Sequence, residues 1–295
     1  MIRPVKFAYN AQTAVNNSFQ VASADNDVQQ KAVEEFDAFV QQLQSNGVDV
    51  TVVQDTAEPH TPDSVFPNNW ISFHEGGSIF LYPMFAVNRR LERKQGVLDA
   101  INKKFVINNT TDFTAAEKDN VFLEGTGSMV LDRAKKIAYA CISPRTDKKL
   151  LEEFCAKAGY TAVSFTANDE NGDAIYHTNV MMCVTDQFVV ICLESITDEQ
   201  EKSNVIKAIE NSGKEIIAIS FTQMNRFAGN MLQVKNAAGK QFLVMSSQAF
   251  ESLTPEQVKK IETYNNIIHS SIKTIETNGG GSARCMMAEV FLDLK

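Results

Sequence analysis

Asn179-Val-Met-Met-Cys183, followed by Phe188-Val-Val-Ile-Cys-Leu193, reads as a polar opening residue, a short apolar strand and a second strand behind it. The same pattern recurs along the chain. Asn69-Trp-Ile-Ser-Phe73, Gly127-Ser-Met-Val-Leu131, Asn230-Met-Leu-Gln-Val234 and Cys285-Met-Met-Ala-Glu289 share its shape, and the five starts lie 58, 52, 51 and 55 residues apart. Self-similarity at such a period marks a repeat architecture. Second strands are expected at Ser78–Tyr82, Ile137–Ile142 and Phe242–Met245 as well. Helices are expected next, at Asn88–Lys104, Asp147–Ala158, Thr197–Asn211 and Thr254–Tyr264, where apolar residues recur at i, i+3 and i+4. Thr254-Pro255 also sets an N-cap before an N1 proline. Third strands are expected at Val48–Val53, Lys104–Ile107, Thr161–Ser164, Glu215–Ile219 and Thr274–Glu276. An early helix, Asp25–Ser45, stops at Gly47 and completes the first unit.

The fold expected is therefore α/β, with a ββαβ unit about five times over. Each unit is too short to fold alone, so the units must share a core. Five of them can close about a pseudo-fivefold axis as one propeller domain spanning residues 1–295. An ordinary α/β sheet with chance spacing is the alternative. In the ring, residues opening each first strand meet at one central mouth: Asn69, Gly127, Asn179, Asn230 and Cys285, with Glu124 and His177 just before two of the strands.

Composition narrows the function. Apolar residues make up 44% and charged residues 22% of 295, a globular balance. The formal charge is −8 and no basic patch is clustered, which argues against a nucleic-acid partner. No apolar run approaches the ~18 residues of a membrane span. Met1-Ile-Arg-Pro-Val-Lys lacks the apolar stretch of a signal peptide, so a cytoplasmic location is expected. The five cysteines are odd in number and none is paired as C-x-x-C, so neither a zinc site nor a redox pair is indicated. No metal or organic cofactor is expected. The expected partner is a small molecule, and self-association into a homo-oligomer is left open.

Cys141, Cys183 and Cys192 sit in strand-like runs and Cys155 on an apparent helix, where a thiol is a small buried hydrophobe. Cys285 differs because it follows Gly279-Gly-Gly-Ser-Ala-Arg284. Glycines let a ligand approach backbone closely, so a thiol behind such a loop is either an exposed nucleophile or a buried cysteine after a flexible turn. A cysteine nucleophile needs a proton donor for its leaving group, and histidine is the usual choice. His177, in Ile-Tyr-His-Thr-Asn-Val, stands at a loop-to-strand junction in the mouth. His60 and His269 read as exposed or structural, and His74 as a core or rim residue. Glu124, in Phe-Leu-Glu-Gly-Thr-Gly, either enters the site desolvated or is a turn glutamate in solvent, and spacing alone favours the second.

Taken together these segments resemble a known superfamily. Gly-Gly-Gly-Ser-Ala-Arg-Cys285-Met resembles the C-terminal cysteine motif of arginine deiminases. Phe-Leu-Glu124-Gly-Thr-Gly and Ser143-Pro-Arg145-Thr-Asp resemble their Glu-Gly-Gly-Asp and Ser-x-Arg-Thr-Asn motifs, and His177-Thr-Asn179 resembles their His-x-Asp. Phe66-Pro-Asn68-Asn69 stands where Phe-Thr-Arg-Asp is usual. The matches keep the family's order over residues 66 to 286. The chain is thus similar to the guanidine-modifying superfamily of amidinotransferases, deiminases and dihydrolases, whose fold is the five-bladed α/β propeller, or pentein. The resemblance implies Cys285 as nucleophile, His177 as acid–base group, Glu124 as its carboxylate partner, and Arg145 as the anchor of a substrate carboxylate.

The departures point to a substrate. Asn69 and Asn179 replace aspartates that would bind a guanidinium, and Gly127 replaces a third acidic residue. A guanidinium is a permanent cation that wants paired carboxylates, whereas a ureido group is neutral with N–H donors and one carbonyl. The Asn68-Asn69 and Asn179 set resembles the citrulline-hydrolysing branch. The expected reaction is citrulline to ornithine, ammonia and carbon dioxide through a thioester, with Asn68, Asn69, Asn179 and Arg145 binding substrate. An arginine-type deiminase or dihydrolase, using Asp63 or Glu75 as the missing carboxylate, is one alternative. An amidinotransferase and a non-catalytic ligand-binding propeller are others.

Overall fold

Each middle strand is flanked on one side by the strand before it, antiparallel, and on the other by the strand after it, parallel. The computed structural model describes residues 1–24 and 27–295. Strands β1 (Ile2–Arg3) and β2 (Val53–Gln54) pair in parallel. The remaining twelve form four sheets of one design. These are β3 (Ile71–His74), β4 (Ser78–Leu81) and β5 (Asn109–Asp112); β6 (Val130–Asp132), β7 (Ile137–Cys141) and β8 (Thr161–Phe165); β9 (Met182–Val184), β10 (Phe188–Ile191) and β11 (Glu215–Ala218); and β12 (Leu232–Lys235), β13 (Gln241–Ser246) and β14 (Asn266–Ser270). The registers follow from the sequence spacing. Val189 faces Val184, and Phe188 faces Glu215. A parallel pair needs a crossover, and a helix supplies it each time: Gln95–Lys104, Lys148–Ala158, Glu199–Asn211 and Pro255–Glu262. Val28–Ser45 crosses between β1 and β2.

The helix ends are chemically marked. Asp147 accepts from Leu150 N at 2.9 Å, and Asp198 from Glu201 N at 2.8 Å. Thr254 and Gln257 form a reciprocal capping box before Pro255. Gly159 closes Lys148–Ala158 at a φ of 72°, a left-handed position that suits glycine. The inner faces bury Phe36, Phe39, Phe154, Val205 and Ile261 against the sheets. Among the described residues no helix is long and apolar enough to cross a membrane.

Several boundaries differ from the sequence reading. The N-terminal start of the early helix, Asp25, lies outside the described residues; the helix runs from Val28. Only Val53 of Val48–Val53 enters a strand. The third strand expected at Lys104–Ile107 is Asn109–Asp112, a polar and mostly exposed edge strand with no apolar signature. Phe105 instead packs inward, and Val106 N donates to Asp293 O at 2.8 Å. Thr274–Glu276 belongs to the helix Lys273–Gly279, and the strand is Asn266–Ser270, which moves His269 from a connecting stretch onto β14. Asn88–Lys104 is divided into a 3₁₀ turn, Val87–Glu92, and the helix Gln95–Lys104. Cys285–Glu289 is not a strand. Its first residues coil in consecutive turns, Cys285 N to Ser282 O at 2.9 Å and Met286 N to Ala283 O at 3.3 Å.

The openings of three first strands share a further device that spacing did not reveal. One-turn helices, Pro67–Asn69, Gly125–Ser128 and Thr178–Met181, precede β3, β6 and β9. The second of them packs against both of the others. That brings residues 69, 124 and 177 to one place.

Candidate active site

Gly125–Ser128 begins directly after Glu124, and Thr178–Met181 directly after His177. The carboxylate is fixed by its own backbone: Glu124 N donates to Ser128 Oγ at 2.8 Å, and Ser128 Oγ donates to Arg145 O at 2.7 Å. His177 Nε2 meets Glu124 Oε2 at 2.7 Å, with both side chains buried. Glu124 Oε1 accepts from Phe85 N at 2.8 Å, and Arg145 Nη1 lies 3.6 Å from Oε2. Burial alone would raise the Glu124 carboxyl; Arg145 and His177 reverse this and hold it down at about 2. Burial pushes His177 down to about 4, against the pull of Glu124. The resting pair is therefore a carboxylate and a neutral imidazole. With Nε2–H donated to Glu124, the Nδ1 lone pair is left free to accept a proton.

Cys285 and His177 line the same narrow cavity of about 10 Å³, together with Asn69, Tyr176 and the Gly279-Gly280-Gly281 loop. Sγ is held by two carboxamides: Asn179 Nδ2 at 3.4 Å and Asn230 Nδ2 at 3.3 Å. Asn230 also donates to Asn179 O at 2.8 Å and accepts from Arg284 N at 3.0 Å, so it ties the turn that carries Cys285 to the neighbouring unit. The N–H groups of Gly280, Arg284 and Cys285 are already engaged. Donors for a developing oxyanion are found instead on side chains: Asn69 Nδ2 and Asn68 Nδ2 are buried without partners. Asn69 lines the cavity, whereas Asn68, beside it, is fully buried and does not.

All five thiols are buried among apolar side chains, and Cys285 differs in having two carboxamide N–H groups at its Sγ. Burial pushes Cys141, Cys155 and Cys192 up to about 11 and Cys183 to about 12.

Arg145 lines the cavity, and its donors face protein groups. Nε donates to Asn16 Oδ1 at 2.9 Å, and Nη2 donates to Thr13 O at 2.7 Å and to Asn16 Oδ1. Its guanidinium stands 4.9 Å from the centre of the Tyr176 ring. Residues 13–17 thus form a strap across the mouth. Asn17 Nδ2 reaches Gly280 O at 3.3 Å, and Tyr176 Oη donates to the same carbonyl at 2.6 Å.

Sequence reasoning left three residues at the site unassigned. Asp63, raised only as an alternative, is in the cavity wall with Oδ1 unpartnered, and burial raises its carboxyl. Arg89 was not singled out. It grips Glu92 with 2.7 and 2.9 Å bonds, donates to Asn69 Oδ1 at 2.8 Å and lies 3.9 Å from Asp63. Asn230 was placed at the mouth but given no role. The signal for Asn230 was its position at the fourth repeat start; for Arg89, a buried charge inside a 3₁₀ turn, no local signal existed. Glu75, the other alternative carboxylate, lines a different cleft with His74. His74 is buried against Phe80 and bonded to Ser72 Oγ at 2.8 Å, and His60 is exposed. Among the described residues no three His, Cys, Asp or Glu side chains cluster as a metal site would require.

A buried nucleophile candidate, an imidazole and a carboxylate from three remote repeats can carry acyl-type transfer at an sp² carbon. A sequence profile for eukaryotic N,N dimethylarginine dimethylhydrolase matches residues 3–292. No curated protein matches by sequence. The mixed α/β fold matches solved structures. Apo ArgZ, an arginine dihydrolase from the ornithine–ammonia cycle in cyanobacteria, superposes on 98% of this chain with a TM-score of 0.76 at 17% identity. This chain spans only 40% of the ArgZ chain. The product-bound N-terminal domain of ArgZ is covered to 98%, and it covers 99% of this chain with a TM-score of 0.77 at 17% identity. A dimethylarginine dimethylaminohydrolase variant carrying an S-methyl-L-thiocitrulline adduct superposes with a TM-score of 0.65 at 15% identity, covering 97% of this chain and 96% of its own.

Proposed function

The chain belongs to the N,N dimethylarginine dimethylhydrolase family, and from that premise we propose that it hydrolyses a C–N bond of a ureido amino acid, citrulline, to ornithine, ammonia and carbon dioxide. The observation that carries the choice of substrate is the setting of Sγ. Its polar neighbours Asn179 and Asn230 are neutral amides behind the cavity, and Asn69 is a further amide in the cavity wall. A neutral ureido group exchanges hydrogen bonds with amides, whereas a guanidinium there would lack the paired carboxylates it favours. The same reading arranges the five sheets as blades of one propeller domain.

Neutral His177 accepts the thiol proton at Nδ1 as Sγ bonds to the ureido carbon, and the carbonyl electrons move onto oxygen. Amide N–H groups of Asn69 steady that oxyanion. Glu124 balances the imidazolium across its 2.7 Å contact. The oxyanion collapses, His177 returns the proton to the departing nitrogen, and a carbamoyl thioester remains. Water then adds with His177 as base, the thiol leaves protonated, and the carbamate loses carbon dioxide. Either nitrogen leaving first gives the same products.

A cavity of about 10 Å³ holds roughly one water. Substrate entry in this reading displaces the strap at residues 13–17, which frees Arg145 from Thr13 and Asn16 to meet the substrate carboxylate. Asp63 favours the second reading, arginine as substrate, because it is the one wall carboxylate with an unpartnered oxygen. Incubation with citrulline, arginine and dimethylarginine side by side, reading ornithine, citrulline, ammonia and dimethylamine, separates the two. Arginine turnover without citrulline turnover rejects the ureido reading, and full activity in Cys285→Ala rejects the mechanism.

A further inference from the structure

A second cleft, of about 130 Å³, is walled by the β3–β4 and β6–β7 turns and the end of the helix Lys148–Ala158. Arg133, Lys136 and Lys157 bring three cations to it; Glu75 is the carboxylate in its wall, and from outside it Glu289 lies 3.5 Å from Arg133 and Glu153 lies 3.7 Å from Lys157. Tyr160 stands in the wall, buried at 8% exposure, with its hydroxyl left without a hydrogen bond. His74 is no fourth cation: burial, Arg133 and Lys136 push it down to about 3. Its Nδ1 faces Arg133 Nη1 at 3.5 Å and helps to fix the guanidinium, which also lies 4.0 Å from the centre of the Phe291 ring.

We propose that this cleft binds the phosphoryl group of a small molecule, or phosphate itself, on Arg133, Lys136, Lys157 and the Tyr160 hydroxyl. Guanidinium, two ammonium groups and a phenolic O–H together offer donors to three or more oxygens, which a tetrahedral phosphoryl group supplies and a carboxylate does not. Glu153 meets Lys157 only at 3.7 Å with both side chains about half exposed, so an incoming anion displaces a weak contact there. The room is enough for the phosphoryl end, and the cleft opens to solvent for the remainder.

The cleft is wired to the nucleophile. Arg133 Nε lies 3.5 Å from Glu289 Oε1, and Glu289 Oε2 accepts from Arg284 at 3.0 Å. Arg284 is the residue before Cys285, and its N–H is the one that Asn230 accepts. An anion that draws Arg133 toward the cleft weakens its hold on Glu289 and loosens the Arg284–Asn230–Sγ arrangement. Occupancy is thus expected to change the reactivity of Cys285.

The test is calorimetric titration of the full chain with inorganic phosphate and, separately, glycerol 3-phosphate, against sodium chloride at matched ionic strength. Saturable binding with a Kd on the order of 1 mM or tighter is expected, and the tighter of the two ligands identifies the source. Lys136→Met with Lys157→Met, both exposed positions, is expected to weaken binding about tenfold, and Tyr160→Phe by a few-fold. Iodoacetamide labelling of Cys285 is expected to change about fivefold at saturation in the native chain and not in the double variant. Heat indistinguishable from the chloride control, or undiminished binding in the double variant, overturns the site. A labelling rate unmoved by saturating phosphate overturns the link to Cys285. Neither readout depends on which substrate the enzyme takes.

Discussion

Glu124→Gln isolates the carboxylate from everything else in the site. The glutamine is isosteric and can still accept from Phe85 N, so the change removes charge rather than shape. What is lost is the charge-assisted bond at 2.7 Å to His177, which strengthens as the imidazole takes the thiol proton. Bonds to charged groups contribute about 1.5–3 kcal/mol, so kcat is expected to fall by about 10- to 150-fold. Arg145 also loses its neighbour at 3.6 Å, but it keeps Thr13 O and Asn16 Oδ1, so the fold is expected to survive with a lowered melting temperature. KM is expected to change little, because Glu124 does not line the cavity. The assay is steady-state ornithine release at pH 7, with circular dichroism to confirm folding. A folded variant with kcat within about twofold of native would remove Glu124 from the proton relay.

The second expectation concerns Gly127. A Cβ built there stands 2.3 Å from Asn69 Nδ2 and 2.7 Å from His177 Nδ1, so Gly127→Ala must displace one or both. Activity is expected to drop at least about tenfold, since proton transfer demands close geometry; unimpaired kcat would show that neither side chain needs its present position. The third is Asn69→Asp, which introduces a carboxylate beside Arg89 and the cavity. Its ratio of arginine to citrulline turnover is expected to rise by about tenfold, the scale of one charge-assisted bond, and an unchanged ratio would argue against amides setting substrate charge. The fourth is acid sensitivity. His177 falls from 6.5 to about 4 on folding, so the unfolded chain binds the proton more readily, and stability present at neutral pH is lost as pH falls. The loss from His177 between pH 7 and pH 5 is roughly 2 kcal/mol in denaturant titrations. His177→Asn should lack it, and an identical loss in that variant would assign it elsewhere. Glu124, held at about 2 against 4.5, adds a further loss below pH 4.5.

The repeat was legible because each middle strand is apolar and each first strand opens on a polar or small residue. Phe188–Ile191 is fully buried and reads as an unbroken apolar run. What the chain concealed was polar structure. The edge strand Asn109–Asp112 carries no apolar face, and a strand paired on one side in solvent needs none. Cys285–Glu289 looked like a strand because Cys-Met-Met is apolar, yet those side chains are buried from a turn whose N–H groups bond locally and to Asn230. Cys285, His177 and Glu124 could be named from motifs, and Asn69 and Asn179 from their positions, and the structure brings these side chains together. Arg89 could not, since its importance comes from Glu92, Asn69 and Asp63 converging on it in space.

The repeat also explains why chemistry can vary at this mouth while the frame persists. Glu124 and His177 hold equivalent places, each just before a one-turn helix, and their helices touch. Side chains at those places project from backbone whose bonds are already satisfied, so exchanging one polar residue for another changes the charge presented to the ligand without touching the sheets. Gly127 marks the limit of that freedom. At its position any side chain would occupy the space held by Asn69 and His177, so an acidic residue there requires both to sit elsewhere. Gly127 is therefore tied to both neighbours: the amide and the imidazole together fill the room that a carboxylate at 127 would take. A double change, Gly127→Asp with Asn69→Ala, removes the tighter of the two clashes and is expected to recover part of the stability that Gly127→Asp alone loses, as read by thermal unfolding. If the single and double variants melt alike, the two positions do not compete for one space.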